Sequence, residues 1–236
     1  KTELVFKMVK TGKYYFISRP RRFGKSLLIS TIESYFLGKS ELFKGLAMEK
    51  LEKDWIEYPI LHLDLNNQKY DSKEKLYNIL NNYLCKWERL YGSEESENDL
   101  SLRLGGIIER AAKKTGRNVV VLIDEYDKPM LQAIGNDELL EVFRNTLKAF
   151  YGTLKSCDQY IKFAILTGVT RFSKVSVFSD LNNLMDISID DRFANICGIT
   201  ESELYSNCQE EISVLAKKYQ TNNEDIKKKL KDWYDG

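Results

Sequence analysis

The run Asn118-Val-Val-Val-Leu-Ile-Asp124 constrains this chain more than any other stretch. Five consecutive branched aliphatic residues leave no polar face, so a strand here must be covered on both sides. A parallel sheet with helices above and below provides that cover. The rest of the sequence alternates short apolar runs with helical periods, as such a sheet requires. Residues 14–17 form a short apolar run, and Lys25–Phe36 carries Leu28, Ile32, Tyr35 and Phe36 at helical spacing. Residues 59–65 read as a strand with Pro59 at its first position, where a missing N–H is tolerated. Leu76, Ile79, Leu80, Tyr83, Leu84 and Trp87 form an amphipathic stripe, and residues 104–112 a second helix. Residues 139–154 are helical, and residues 161–166 read as the next strand. Between Thr167 and Cys197 no single period dominates. Helices resume at Thr200-Glu-Ser-Glu203, which has capping-box spacing, and at residues 223–233.

No internal repeat and no Pro/Gly/Ser linker divides the 236 residues. The expected organisation is one α/β domain over residues 1–199, with residues 200–236 as a small helical subdomain or cap. Residues 92–98, rich in glutamate and serine, read as an exposed loop. The chain begins without methionine and reads as a fragment of a longer protein. Thirty-six basic residues oppose thirty-five acidic ones, so the overall field favours neither nucleic acid nor an anionic membrane. Cys85, Cys157, Cys197 and Cys208 contain no C-x-x-C pair, and His62 is the single histidine. That composition argues against an ordinary zinc site and for free, mostly buried thiols in a reducing cytoplasm. His62, mid-strand, is expected to be a packed structural residue. With no run of 18 apolar residues, no membrane span is expected.

The chemistry concentrates at two strand ends. Ser18-Arg-Pro-Arg-Arg-Phe-Gly-Lys-Ser26 lies between a strand and a helix, where a glycine-rich loop and free helix N–H groups receive phosphate. In that reading residues Arg21, Arg22, Phe23, Gly24, Lys25, Ser26 and Leu27 surround the nucleotide. Lys25 reaches the β- and γ-phosphates, and the Ser26 hydroxyl ligates Mg²⁺. The general pattern G-x-x-x-x-G-K-[ST] places glycine at position 19, where this chain has Arg19. A basic turn before a surface helix would look the same taken alone. The second motif, Val119-Val-Val-Leu-Ile-Asp-Glu125, lies about 100 residues on and has the form of a Walker B strand. Asp124 would support Mg²⁺, and Glu125 would polarise the attacking water. After the following strand, Thr167 is the first choice for a γ-phosphate sensor, with Thr170 second. Arg171 reads as a solvated loop arginine before it reads as a source of charge for the transition state.

These segments, with Tyr-Pro-Ile-Leu-His-Leu-Asp64, Leu-Ile-Asp-Glu-Tyr-Asp-Lys-Pro129 and Leu-Thr-Gly-Val-Thr-Arg-Phe-Ser173, resemble the predicted AAA-ATPase family. These are bacterial P-loop proteins similar to the archaeal-type ATPases of the STAND branch, and the resemblance spans nearly the whole chain. It implies an additional-strand P-loop NTPase fold, a three-layer parallel sheet with a small C-terminal helical segment. Arg-Pro-Arg-Arg-Phe-Gly-Lys-Ser is the loop usual in that family. The resemblance further implies ATP and Mg²⁺ as ligands and a C-terminal domain of the PD-(D/E)XK nuclease type continuing past residue 236. The strand ending at Ile17 is expected between two others, in a 5-1-4-3-2 order that keeps the Walker B and P-loop strands apart.

Three functions follow: a Mg²⁺-dependent ATPase that drives or regulates an attached effector, a nucleotide-binding switch with negligible turnover, and a nucleic-acid module built on Arg19, Arg21 and Arg22. Glu125 favours hydrolysis, and the near-neutral charge argues against nucleic acid as the main partner. Self-association to supply an arginine in trans fits the first reading.

Overall fold

The structure, a computed structural model, describes residues 1–66, 68–170 and 184–234. The chain divides into two compact units, Lys1–Cys197 and Gly198–Gly236. In the first, α1 (Thr2–Thr11) leads to β1 (Tyr14–Ser18), α2 (Lys25–Phe36), the short α3 (Ala47–Leu51) and β2 (Ile60–Asp64). Two long helices, α4 (Lys73–Tyr91) and α5 (Leu100–Thr115), precede β3 (Val119–Asp124). Then come α6 (Lys128–Gln132), α7 (Asp137–Ser156), β4 (Ile161–Gly168) and the two-residue β5 (Met185–Asp186). The five strands are parallel and run β2-β3-β4-β1-β5 across the sheet. This is the 5-1-4-3-2 order, with β4 between the strand that feeds the loop and the strand that ends in Asp124.

Every residue of β3 is buried. The side chains of the sheet split between two cores. Tyr14, Phe16, Leu61, Leu63, Val119, Val121 and Ile123 pack with α4, α5 and α7, while Tyr15, Ile17, Val120 and Leu122 pack with α1, α2 and α3. That division makes three layers. An irregularity at the start of β4 pairs Val119 with Ile161 but Val120 with Phe163. Exposed Lys162 is the residue left over, which is why Ile161 and Phe163 face opposite cores despite their two-residue separation.

Side-chain caps set the starts of the long helices. Ser72 accepts from the Lys75 N–H, Asp99 from those of Ser101 and Leu102, and Asn136 from that of Leu139. The Asp99 cap begins α5 four residues before the apolar stripe that announces it in sequence. Residues 92–98 do form a loop, but Glu97 is not a free acid: its side chain is only 9% exposed and grips Arg110, with Oε2 2.9 Å from Nη2. The four cysteines are free, Cys157 and Cys197 buried and Cys85 and Cys208 half-buried. His62 lies in β2 with Nδ1 3.3 Å from Glu33 Oε2 on α2. Among the described residues no helix is long and apolar enough to cross a membrane.

The second unit contains α8 (Glu201–Asn207), α9 (Gln209–Lys218) and α10 (Asn223–Tyr234). The capping box at its entry is complete: Thr200 accepts from the Glu203 N–H while the Glu203 carboxylate accepts from the Thr200 N–H. Its core is small, built on Ile212, Ala216 and Ile226.

Candidate functional site

The sheet order brings three strand ends together at its C-terminal edge, where open α/β sheets collect their ligands. β1 leads into the loop of residues 19–24, β3 ends at Asp124, and β4 ends between them at Thr167 and Gly168. In register, Ile17 lies beside Thr167 and Ser18 beside Gly168, while Asp64 of β2 stands next to Asp124 on the other side.

Glycine is not required at position 19. The Arg19 N–H donates to the Gly168 carbonyl at 3.1 Å, so the residue prolongs the β1–β4 ladder. Its guanidinium turns to the sheet edge, donating to the Ser188 carbonyl and, at 3.3 Å, to that of Ser18. The left-handed positions are Arg22, at φ 67°, and Gly24, at φ 82°. A Cβ at Gly24 would meet nothing within 4 Å, so the loop is open there. Arg21, Arg22, Phe23, Ser26 and Leu27 are exposed, Leu27 at 71%.

Lys25, the first residue of α2, is buried, and its ammonium is fully engaged. It donates to the carbonyls of Arg19 at 3.1 Å and Pro20 at 3.3 Å, and lies 3.2 Å from Glu125 Oε1. Glu125 is itself 8% exposed and sits in the left-handed region at φ 55°, a conformation unusual for a residue with a side chain. Ser26 donates to Asp124 Oδ2 at 2.6 Å. Thr167, fully buried, donates to Asp124 Oδ1 and accepts from the Glu125 N–H at 3.3 Å. The Thr167 hydroxyl thus holds the Asp124 carboxylate from one side while Ser26 holds it from the other. Thr170 bonds instead to Asp127, through Oγ1 at 2.7 Å. Arg171 lies outside the described residues.

Two further residues belong to this assembly. Ser188, past β5, accepts from the Ser18 N–H at 2.9 Å and secures the strand that feeds the loop. No motif in the sequence marks it. Asp127, 1% exposed, carries three donors from the end of β4. Its sequence signal is the second aspartate of Asp-Glu-Tyr-Asp, which by itself reads as a polar turn.

The donors suit a hard cation and a phosphate. The Ser26 hydroxyl donates its proton to Asp124 and keeps its own lone pairs for a ligand, and oxygen ligands of this kind suit Mg²⁺. The N-terminus of α2 and the open loop before it present backbone N–H groups and positive charge to an anion.

The model of the family described as "Predicted AAA-ATPase" matches residues 1–178, and the chain belongs to that family. It is thereby placed among nucleotide-binding proteins of the ATPase class. A protein of Azotobacter chroococcum mcd 1, described as an uncharacterized protein in the vnfD 5′ region, is 38% identical over 205 residues. The match takes in 86% of this chain and 40% of that protein, so the chain spans well under half of its relative. No solved structure matches the chain.

Proposed function

We propose that this unit binds ATP with Mg²⁺ and hydrolyses it, and that the hydrolysis drives or regulates an effector elsewhere in the full protein. The observation that carries the reading is the convergence of Lys25, Ser26, Asp124 and Glu125 from two loops 100 residues apart onto one edge of the sheet. The open loop receives the phosphates, Lys25 supplies a compact positive charge, and Ser26 and Asp124 hold the cation. Mg²⁺ held by Ser26 and Asp124 would offset the negative charge of the phosphate oxygens. Glu125, the neighbouring acid, accepts a hydrogen bond from the attacking water once it leaves Lys25. A general base of this kind contributes about 10²–10⁴-fold.

The Lys25–Glu125 ion pair also supports a second reading, a nucleotide-dependent switch with negligible turnover, because the base is engaged until a ligand competes for the lysine. Isothermal titration with ATP and Mg²⁺ tests the site. Lys25→Ala and Asp124→Ala should each abolish binding, and wild-type affinity in both would sink the assignment. Glu125→Gln should keep or slightly raise affinity, since Lys25 is freed of its carboxylate. Its single-turnover rate should fall by about 10²–10⁴-fold. No hydrolysis by wild type at any protein concentration would select the switch.

A further inference from the structure

The carboxylate of Asp127 does something its position does not lead one to expect. It stands at the N-cap of α6, where an aspartate ordinarily accepts from its own helix. Here it makes no such bond. It turns away and accepts from the Val169 N–H at 3.0 Å, the Thr170 N–H at 2.7 Å and the Thr170 hydroxyl at 2.7 Å. A buried carboxylate needs donors, and these three converge on its Oδ2. The neighbouring residue reinforces the grip. The Tyr126 N–H donates to the Thr167 carbonyl at 2.9 Å, and its phenol donates to the Thr170 carbonyl at 2.8 Å. Its ring packs edge-on against Phe16 of β1, 5.4 Å between centroids. Gly168 fits beneath: a Cβ there would come within 3.0 Å of the Tyr126 ring and of Asp127 Oδ1.

We propose that Asp127 is the positioning residue of this site: it clamps residues 168–170 so that the Thr167 hydroxyl is held on Asp124 and on the Glu125 N–H. The inference rests on the ATPase reading above and deepens it. Without the clamp the exit of β4 can shift, and Thr167 shifts with it. The carboxylate that supports the cation and the backbone that carries the base then lose their common anchor. A displacement of about 1 Å in such an arrangement costs on the order of 10²-fold in rate, while Ser26 keeps its own hold on Asp124, and with it most of the affinity.

The test compares wild type with Asp127→Asn, Thr170→Val and Thr170→Ser in MgATP titrations, single-turnover hydrolysis per binding-competent site, and amide exchange of Val169 and Thr170. All three bonds converge on Oδ2, so Asp127→Asn keeps an acceptor there but loses the charge that strengthens them, and it sets an NH₂ in place of Oδ1, 3.4 Å from the Val169 nitrogen. It should lower the rate by about 10–100-fold, change affinity by less than about 3-fold, and deprotect both amides. Thr170→Val removes one of the three donors and should lower the rate several-fold, whereas Thr170→Ser keeps the hydroxyl and should match wild type. If Asp127→Asn fails to fold, the Thr170 pair still decides. Wild-type rates in Thr170→Val, or losses of affinity in proportion to rate, would overturn the role. Wild-type protein that binds MgATP without turning it over would overturn the hydrolysis reading itself, and this role with it. The two failures are therefore told apart by the wild-type control.

Discussion

Gly168 offers the sharpest test of the site's packing at the level of single residues. Its backbone is not in the left-handed region, so conformational freedom is not what the position needs. What it needs is the absence of a Cβ in front of Tyr126 and Asp127. Gly168→Ala should therefore destabilise the fold by about 1–3 kcal/mol, the usual cost of overpacking, read as a lower urea midpoint at unchanged slope. An unchanged midpoint would show that the Tyr126 ring yields at no cost. This requirement was not visible in the sequence, where Thr167-Gly168 reads as a strand ending in a turn. The polar and charged residues of the two motifs were visible: Lys25, Ser26, Asp124 and Glu125 follow from the type and spacing of side chains at strand ends. Arg19 was legible only as a departure from a pattern, because whether position 19 needs glycine depends on a hydrogen bond to Gly168 that pairs strands distant in sequence. The partner of Glu125 was hidden for the same reason. An Asp-Glu pair at a strand end reads as a metal ligand and a base, but gives no sign that the Glu125 carboxylate lies against Lys25.

Between elements, Glu52 ties three of them together. It lies just past α3, accepts from Tyr35 of α2, and pairs with Lys10 of α1 at 2.8 Å. Burial alone would raise its carboxyl. The hydrogen bonds from Lys10, Tyr35 and the N–H groups of Asp54 and Lys53 outweigh that and bring it down from 4.5 to about 2. A value lowered by folding means stability that is complete above about pH 4.5 and drains away as pH falls toward 2. Discounted for the exposed lysine partner, the contribution is roughly 1–2 kcal/mol. Glu52→Gln should be less stable than wild type at pH 7 by about that amount, and the gap should narrow below about pH 4.5 and close only as pH approaches 2. A constant gap across the window would mean that Glu52 acts through shape and not charge. Such a junction is beyond sequence pattern, since Leu4, Val5, Phe6, Met8 and Val9 crowd α1 too densely to show one apolar face. The stripes of α4 and α7 were legible because a single sheet face receives them. The extra residue at Lys162 was not, because a strand's period-two pattern gives no warning of a skipped partner.

For the molecule as a whole, the cover over β3 was legible for a physical reason, since five branched aliphatic residues need apolar partners on both faces, whereas the strand order was expected from the family resemblance; β3 lies inside the sheet, between β2 and β4. The division of the chain follows from how apolar surface is shared out. Lys1–Cys197 contains both cores that sandwich the sheet, together with every site residue described above. Among the described residues of Gly198–Gly236 only Ile212, Ala216 and Ile226 are buried, with Tyr205, Leu215 and Leu230 partly covered. Below about 40 residues a chain rarely buries enough to fold without disulfides, metals or a partner. Helix caps such as the Thr200–Glu203 box add about 1 kcal/mol each, too little to make up the difference. Residues 1–197 expressed alone should therefore unfold in one cooperative transition and gain thermal stability from MgATP, by about 2.7 kcal/mol at a nucleotide concentration a hundred times Kd. The 198–236 peptide should show little helical circular dichroism in dilute buffer. A cooperative melt of that peptide would make the second unit an independent domain. Loss of MgATP stabilisation in residues 1–197, with the full chain still responding, would mean that the second unit contributes to the binding-competent state.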